Sequence, residues 1–408
     1  HPSMATPAPN QHRDWATTIQ QRLQRQQQQH RRRQLHGYAV AGEALLRDQH
    51  SGQTLINFSG NDYLGLSQHP ALRAALADTG GDTGGEHAVS GAGASRLVSG
   101  NRPEHEDLEQ ALATLFKRDD ALCFSSGFIA NLSILQALAQ RDDVLLLDKL
   151  CHASLIDGGR LASADLQRYR HADSNDCQQR LQASSRPGMR MIASDGVFSM
   201  DGDQAPVRQL AALAAAEQAL LVIDDAHGIG VLGEQGLGLL EQEGLGQTEV
   251  PLLIGTFGKS FGLAGAFVTG DAALIDYLRN SCRGLIYSTA PPPPVLRAQL
   301  QALRLLQDES WRRERLRENI DWFVNRAKTA GIPLLPSTSA IQPLLIGANQ
   351  AALQAQEMLR QQGLLVVAIR PPTVPEGTAR LRITLSAVHS KQQLQQLLAA
   401  LSQLELPA

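Results

Sequence analysis

The stretch GTFGKSFGLAG, residues 255 to 265, sets Lys259 among Phe257, Gly258, Phe261 and Gly262, with no acid beside it. Such neighbours solvate an ammonium poorly; burial lowers a lysine pKa, and a neutral amine can form a Schiff base with a carbonyl. Upstream, in ALLVIDDAHGIGVLG, an apolar run ends in Asp224 and Asp225, and His227 follows. Singly these residues say little, because an acid at a strand tip is commonly a turn residue and a lone lysine a surface side chain. As a pair at one sheet edge they suggest chemistry on an amine and a carbonyl.

A lysine that can lose its charge and a carboxylate suit pyridoxal phosphate, whose ring nitrogen stays protonated beside an acid and makes the ring an electron sink. Lys259 would carry the group and Asp224 would face its nitrogen. The phosphate needs backbone N–H groups at a helix start. CFSSGFIANLSIL provides a strand, then Ser125, Ser126 and Gly127, then a helix. An imidazole to stack on the ring comes from His152 in DKLCHASL, just after the apolar run ending near Asp148.

The elements that must bring these residues together alternate from about residue 104 to 290: helical EHEDLEQALATLF, apolar ALCF, helical FIANLSILQALAQ, apolar DVLLLD, apolar MRMIAS, helical VRQLAALAAAEQ and apolar ALLVIDD. This predicts an α/β fold with a mainly parallel sheet covered by helices, and such sheets bind ligands at the carboxyl ends of their strands. APPPPV at 290 to 295 breaks the rhythm. Beyond it a long helix, strands near PLLIG and LLVVAI, and a helix from about Ser390 give a smaller α+β C-terminal domain. The expected division is an N-terminal helical segment over 1–60, a large cofactor-binding domain over 61–290 and a small domain over 291–408. Trp15, Ile19 and Leu23 in WATTIQQRLQRQQQQHRRRQLH share one side of a predicted helix over residues 15 to 36. His1-Pro2-Ser3 reads as the remnant of a cleaved tag.

The 37 Lys and Arg nearly balance the 40 Asp and Glu, so no net field draws the chain to nucleic acid or an anionic membrane. Cys123, Cys151, Cys177 and Cys282 form no C-x-x-C pair, which argues against zinc and disulfide frameworks; a reducing cytoplasm and no metal are expected. No apolar run reaches the roughly 20 residues that span a bilayer, so no membrane partner is expected. GTFGKS fails as a phosphate loop because Leu253 stands where its first glycine belongs. GAGASR ends in Arg96 where the dinucleotide fingerprint needs glycine, and His105-Glu106 lacks the second histidine of a zinc protease, its place being Glu109.

The ordered set NDYLGLS, GAGASRLVSGN, HEDLE, SSGFIAN, HASLIDG, DGVFSMDGD, DDAHGIGVLG, TFGKSFG and IYSTAPPP resembles the α-oxoamine synthases, fold-type-I pyridoxal-phosphate-dependent transferases, from about Arg31 to near the C-terminus. The resemblance implies that Lys259 carries the cofactor, Asp224 pairs with the ring nitrogen, His152 stacks on the ring, and His227 and Ser199 bond the ring hydroxyl. It places Gly127, Phe128 and Thr256 at the phosphate and cofactor edge, and Thr289 at the phosphate of a neighbouring subunit, which implies a homodimer with shared active sites. Members condense an amino acid with an acyl thioester. Arg382 resembles the arginine that grips the amino-acid carboxylate, and Arg31, Asn61, His152, Arg370 and Thr373 match substrate residues. Arg370 in AIRPPTVP is similar to the version that condenses L-alanine with a pimeloyl thioester, carried on coenzyme A or on acyl carrier protein, and an arginine suits a dicarboxylic acyl chain. Where many members have T-E, this chain has Ser194-Asp195, which leaves the role of Asp195 open. The competing expectations are a relative that uses glycine or serine, a DNA-bound regulator that keeps the fold as a binding module, and a P-loop enzyme weakened by Leu253.

Overall fold

Short apolar runs become the strands of one seven-stranded sheet in the computed structural model, which describes residues 14–78 and 87–406. In spatial order the strands are Asp120–Phe124, Ala266–Gly270, Leu252–Thr256, Leu220–Asp224, Arg190–Asp195, Val144–Asp148 and Asp165–Tyr169. Ala266–Gly270 runs against both neighbours, and the other strands share one direction. Helices cover both faces, so the strands are apolar on both sides. Leu221 and Ile223 join one core, Val222 the other.

This topology gathers the carboxyl ends of the strands at one edge. Asp195 and Asp224 end adjacent strands in direct register. Lys259 lies in the connection from Leu252–Thr256 to Ala266–Gly270, which is closed by bonds from Phe257 N–H to the Gly265 carbonyl and from Leu263 N–H to the Phe257 carbonyl, both 2.8 Å. Gly262 turns this connection at φ +69°, and a Cβ there would lie 2.3 Å from the Ser67 nitrogen. Only glycine accommodates both the angle and the approach.

A second, three-stranded antiparallel sheet pairs Ile341–Gly347 with Ala379–Thr384 and that strand with Ala368–Ile369. Arg380 and Arg382, two residues apart on its middle strand, share a face. Where one long helix was expected after the prolines, there are two, Pro293–Asp308 and Trp311–Thr329; the final helix, Lys391–Leu401, is capped by the Ser390 side chain.

The N-terminal segment departs from the helical expectation. Its helix covers Trp15–Gln28 and buries none of its residues. It stops because His30 takes a left-handed φ of 53° while the His30 and Arg31 N–H groups close back on the Gln27 and Gln26 carbonyls. Residues 31–36 are irregular, and strands Tyr38–Gly42, Leu45–Asp48 and Thr54–Asn57 follow, forming a sheet completed by Leu364–Leu365. Residues 1–13, the proposed tag remnant included, lie outside the described residues.

Candidate active site

Asp224 ends its strand almost fully buried. One carboxylate oxygen accepts from the Ala226 N–H at 3.0 Å, and the other accepts from the Asn131 side-chain amide at 2.8 Å. The same Asn131 amide nitrogen donates to the Ser154 hydroxyl at 2.9 Å, and Ser154 Oγ is 2.6 Å from His152 Nδ1. A hydrogen-bonded chain therefore joins Asp224 to His152 through Asn131 and Ser154. Asn131 and Ser154 were not singled out by sequence, although each lies within a motif quoted above.

His152 begins the helix Ala153–Leu161, and its Nδ1 accepts from the Ser154 N–H, leaving the ring exposed at the site. Its backbone N–H is held by Asp195 at 2.8 Å. Asp195 is thus a backbone anchor beneath the histidine. Burial, then the adjacent Asp224 carboxylate, push the Asp195 pKa well above the usual carboxylate range.

Lys259 Nζ makes no hydrogen bond or ion pair among the described residues. Burial lowers its pKa below that of an ordinary lysine; Asp224 opposes the shift and Arg382 adds to it. A partly desolvated, unpaired amine beside a carboxylate is the feature expected of a lysine that reacts as a free base.

On another side of the site Tyr63 Oη lies 2.8 Å from His227 Nδ1 and 3.3 Å from Asn61 Oδ1. Burial, then the charges of Lys259, Arg382 and His152, push the His227 pKa well below its usual value. Asn61 Oδ1 also accepts from both terminal nitrogens of Arg382, at 3.4 and 3.3 Å, while Arg382 Nε donates to the Ser199 carbonyl at 2.6 Å. Ser199 reaches this network through its backbone. Tyr63 was missed by sequence because its partner is distant in the chain.

The helix Gly127–Leu138 starts where expected. Ser126 caps it by accepting from the Ile129 N–H, and the N–H groups of Gly127 and Phe128 have no intrahelical partner. A Cβ on Gly127 would meet Thr256 Oγ1 at 4.0 Å and nothing nearer. Thr256 donates to the Gly265 carbonyl at 3.0 Å and accepts from the Gly258 N–H at 3.1 Å, so its hydroxyl shapes the lysine loop. The Phe128 ring stands edge-on to His152, with centroids 6.4 Å apart. The helix start thus lies against Thr256 through Gly127 and against His152 through Phe128.

The remaining substrate candidates form a separate cluster. A groove of about 560 Å³ is lined by Arg32, Arg33, Arg360, Arg370 and Thr373, among others. Arg33 donates to Thr373 Oγ1 at 3.3 Å, and Arg370 to the His30 carbonyl. Burial, then the neighbouring Arg33 charge, lower the Arg370 pKa. Arg31, the expected substrate arginine, is instead paired with Glu376. Thr289 joins neither cluster; it is exposed on the segment after Tyr287. Two of the three near-miss motifs, those at Arg96 and His105, are structural: Arg96 grips both oxygens of Glu109 at 2.5 and 2.8 Å, and buried His105 bonds the Arg102 N–H and the Pro291 carbonyl.

A lysine on the loop beside a mainly parallel sheet, facing a carboxylate on the neighbouring strand, defines a fold-type-I transferase. Residues 53–401 match the family model described as aminotransferase class I and II. The chain is 51% identical over 352 residues to an 8-amino-7-oxononanoate synthase of Alkalilimnicola ehrlichii, covering 86% of this chain and 88% of the relative, and 49% identical over 350 residues to that of Thioalkalivibrio sulfidiphilus, covering 86% and 88%. Among solved structures it is similar to 8-amino-7-oxononanoate synthase from Francisella tularensis, with 30% identity, TM-score 0.73 and coverage of 85% of this chain and 97% of that one. It is also similar to Sphingomonas wittichii serine palmitoyltransferase, with 29% identity, TM-score 0.87 and coverage of 95% and 96%. A serine palmitoyltransferase from S. paucimobilis, 28% identical at TM-score 0.86 over 96% of this chain and 98% of that one, was solved with PLP and myriocin bound. The chain belongs to the 8-amino-7-oxononanoate synthase family.

Proposed function

We propose that this chain is a PLP-dependent acyltransferase that condenses L-alanine with a pimeloyl thioester, pimeloyl-CoA or pimeloyl-acyl carrier protein, to give 8-amino-7-oxononanoate, carbon dioxide and free thiol, a step of biotin biosynthesis. The observation that carries the reading is the unpaired, partly desolvated Lys259 beside an Asp224 fixed by Asn131 and Ala226.

The residues present fit pyridoxal phosphate. Lys259 would carry it, Asp224 would face its ring nitrogen, and His152 would lie against the ring. His227 and Ser199 would stand at the ring hydroxyl, with the Gly127 and Phe128 N–H groups and Thr256 at the phosphate. When bound, the cofactor supplies an electron sink for the substrate carbon next to the carboxylate. Lys259, able to be neutral, would take and return a proton at that carbon. Arg382, braced by Asn61 and the Ser199 carbonyl, would bind the alanine carboxylate. His152, its Nδ1 engaged with Ser154, would keep Nε2 for the acyl carbonyl.

Arg370, Arg33 and Thr373 would hold the far carboxylate of the pimeloyl chain. The site would lie between a large lobe over 61–290 and a small one over 291–408, in the cytoplasm, where the four buried free cysteines stay reduced. No helix among the described residues is long and apolar enough to cross a membrane. Two copies would share sites, with exposed Thr289 completing the partner's phosphate pocket; a fully active monomer in sedimentation would overturn that arrangement.

Thiol release from pimeloyl-CoA, measured with PLP and L-alanine, glycine or L-serine, tests the function. Release should be fastest with alanine. The fold match to serine palmitoyltransferases makes palmitoyl-CoA with L-serine the control, and faster turnover of that pair would replace the assignment.

A further inference from the structure

His171 is absent from the chemistry above, yet it is held unusually firmly. It follows the strand Asp165–Tyr169 and sits between two acids: Nδ1 is 2.9 Å from Asp148 Oδ1, and Nε2 is 2.6 Å from Asp203 Oδ2. Its edge meets the Phe198 ring, with centroids 4.4 Å apart at 85°. Asp148 is fully buried and also accepts from the Leu150 and Ala172 N–H groups, both at 2.8 Å. One end of the imidazole is therefore fixed to the central sheet.

The other end holds a hairpin. Residues 197 and 204 pair across it, and Phe198 N–H donates to the Asp203 carbonyl at 3.0 Å. From the opposite side the small sheet grips the same turn. Arg382 Nε binds the Ser199 carbonyl at 2.6 Å, Arg380 binds the Met200 carbonyl at 3.2 Å and pairs with Asp201, and Ser337 donates to the Gly202 carbonyl at 2.9 Å. The hairpin is the piece through which the large sheet and the small sheet meet beside Asn61.

His171, Asp201 and Asp203 place donor atoms within 4.8 Å of one another, as a metal site would. Here the positive charges are already supplied, by the Arg380 guanidinium on Asp201 and by the imidazole itself. Burial opposes charging His171, but the hydrogen bonds and charges of Asp148 and Asp203 prevail and push its pKa up to about 10. As an imidazolium it donates at both ends, which a neutral ring cannot do.

We propose that His171 is a positioning residue: bridging Asp148 and Asp203, it fixes the 197–204 hairpin so that the Ser199 carbonyl sets the orientation of Arg382 toward the amino-acid carboxylate. This rests on the reading of Arg382 given above. Its consequence is selective, because the hairpin touches the arginine for the amino acid, and among the described residues no hydrogen bond or ion pair joins it to Arg33 or Arg370.

The test is steady-state kinetics of PLP-loaded His171→Gln, Asp203→Asn and Arg382→Lys. Glutamine can donate to one acid but cannot span both. In the first two variants the KM for L-alanine should rise about tenfold or more, while the KM for pimeloyl-CoA stays within about twofold and the cofactor absorbance is retained, since a small misplacement of a binding group is enough for such a loss. The double variant His171→Gln/Arg382→Lys should lose less than the product of the single effects, as expected when one residue acts through the other. If Arg382→Lys raises the alanine KM but neither latch variant does, or if both substrates are affected alike, the positioning role falls and the assignment of Arg382 stands. If Arg382→Lys leaves the alanine KM unchanged, the assignment itself falls, and the latch with it. Should His171→Gln fail to fold, Asp203→Asn, at the more open end of the bridge, decides the matter.

Discussion

The two clusters that make up the candidate site are built differently. At the strand edge, Asp224, Asp195, His227 and Tyr63 are buried, and each is held by neighbours from other elements. In the basic groove, Arg33 and Thr373 are exposed, and the contacts are a few side-chain bonds to an irregular N-terminal segment. The contrast follows from what each must do. A group that changes charge during chemistry gains from low dielectric and fixed partners, because electrostatic effects are stronger where water is excluded. A group that recognises the far end of a flexible chain must admit that chain from solvent, so its pairs are weaker and salt-sensitive.

Breaking the strand-edge cluster should therefore cost most. Lys259→Ala removes both the residue that would hold the cofactor and the base, and turnover should fall by more than about 10³-fold, read by thiol release at saturating substrates. Retention of normal rates would remove the strand edge from catalysis. A subtler cut is Asn131→Ala. It deletes one donor to a buried carboxylate and breaks the chain to Ser154 and His152, so kcat should drop by about ten- to a hundredfold, in line with the loss of a hydrogen bond to a charged group. The substrate KM values should hardly move, and a rise in the pimeloyl-CoA KM with unchanged kcat would show that Asn131 serves recognition instead.

Much of the strand edge was legible in the sequence because apolar runs end where polar residues begin, and a mainly parallel sheet puts those ends together. Lys259, Asp224, His152 and His227 were singled out as candidates that way. Asn131 was not, since one polar residue on a buried helix reads like any helix residue until the fold brings it against Asp224, far away in the chain. His171 was hidden for the same reason, its two acids lying on separate elements. The N-terminal region failed differently. Gln and Arg carry helical propensity past Gln28, but the left-handed turn at His30 ends the helix, and Tyr38–Gly42 and Leu45–Asp48 are too short and too mixed in composition to announce themselves as strands.

Beyond that turn the arginines of the 31–33 run take different partners. Released from the helix, Arg31 swings to Glu376, whereas Arg33 reaches Thr373 and lies close enough to perturb Arg370. Arg33 and Arg370, neither paired with a carboxylate among the described residues, repel, and an incoming anion would relieve that repulsion. Arg33→Ala should consequently raise the pimeloyl-CoA KM by about three- to tenfold, and Arg31→Ala by no more than about twofold, the alanine KM being unaffected in both, as befits exposed charges. Added salt should narrow the difference between Arg33→Ala and the parent protein, because screening weakens the parent's groove while the variant has less to lose. A larger effect from Arg31 would mean that its pairing with Glu376 gives way to substrate and that the groove is rearranged by what it binds; the solvated half of the site would then be the half that moves, and the strand edge the fixed frame against which it closes.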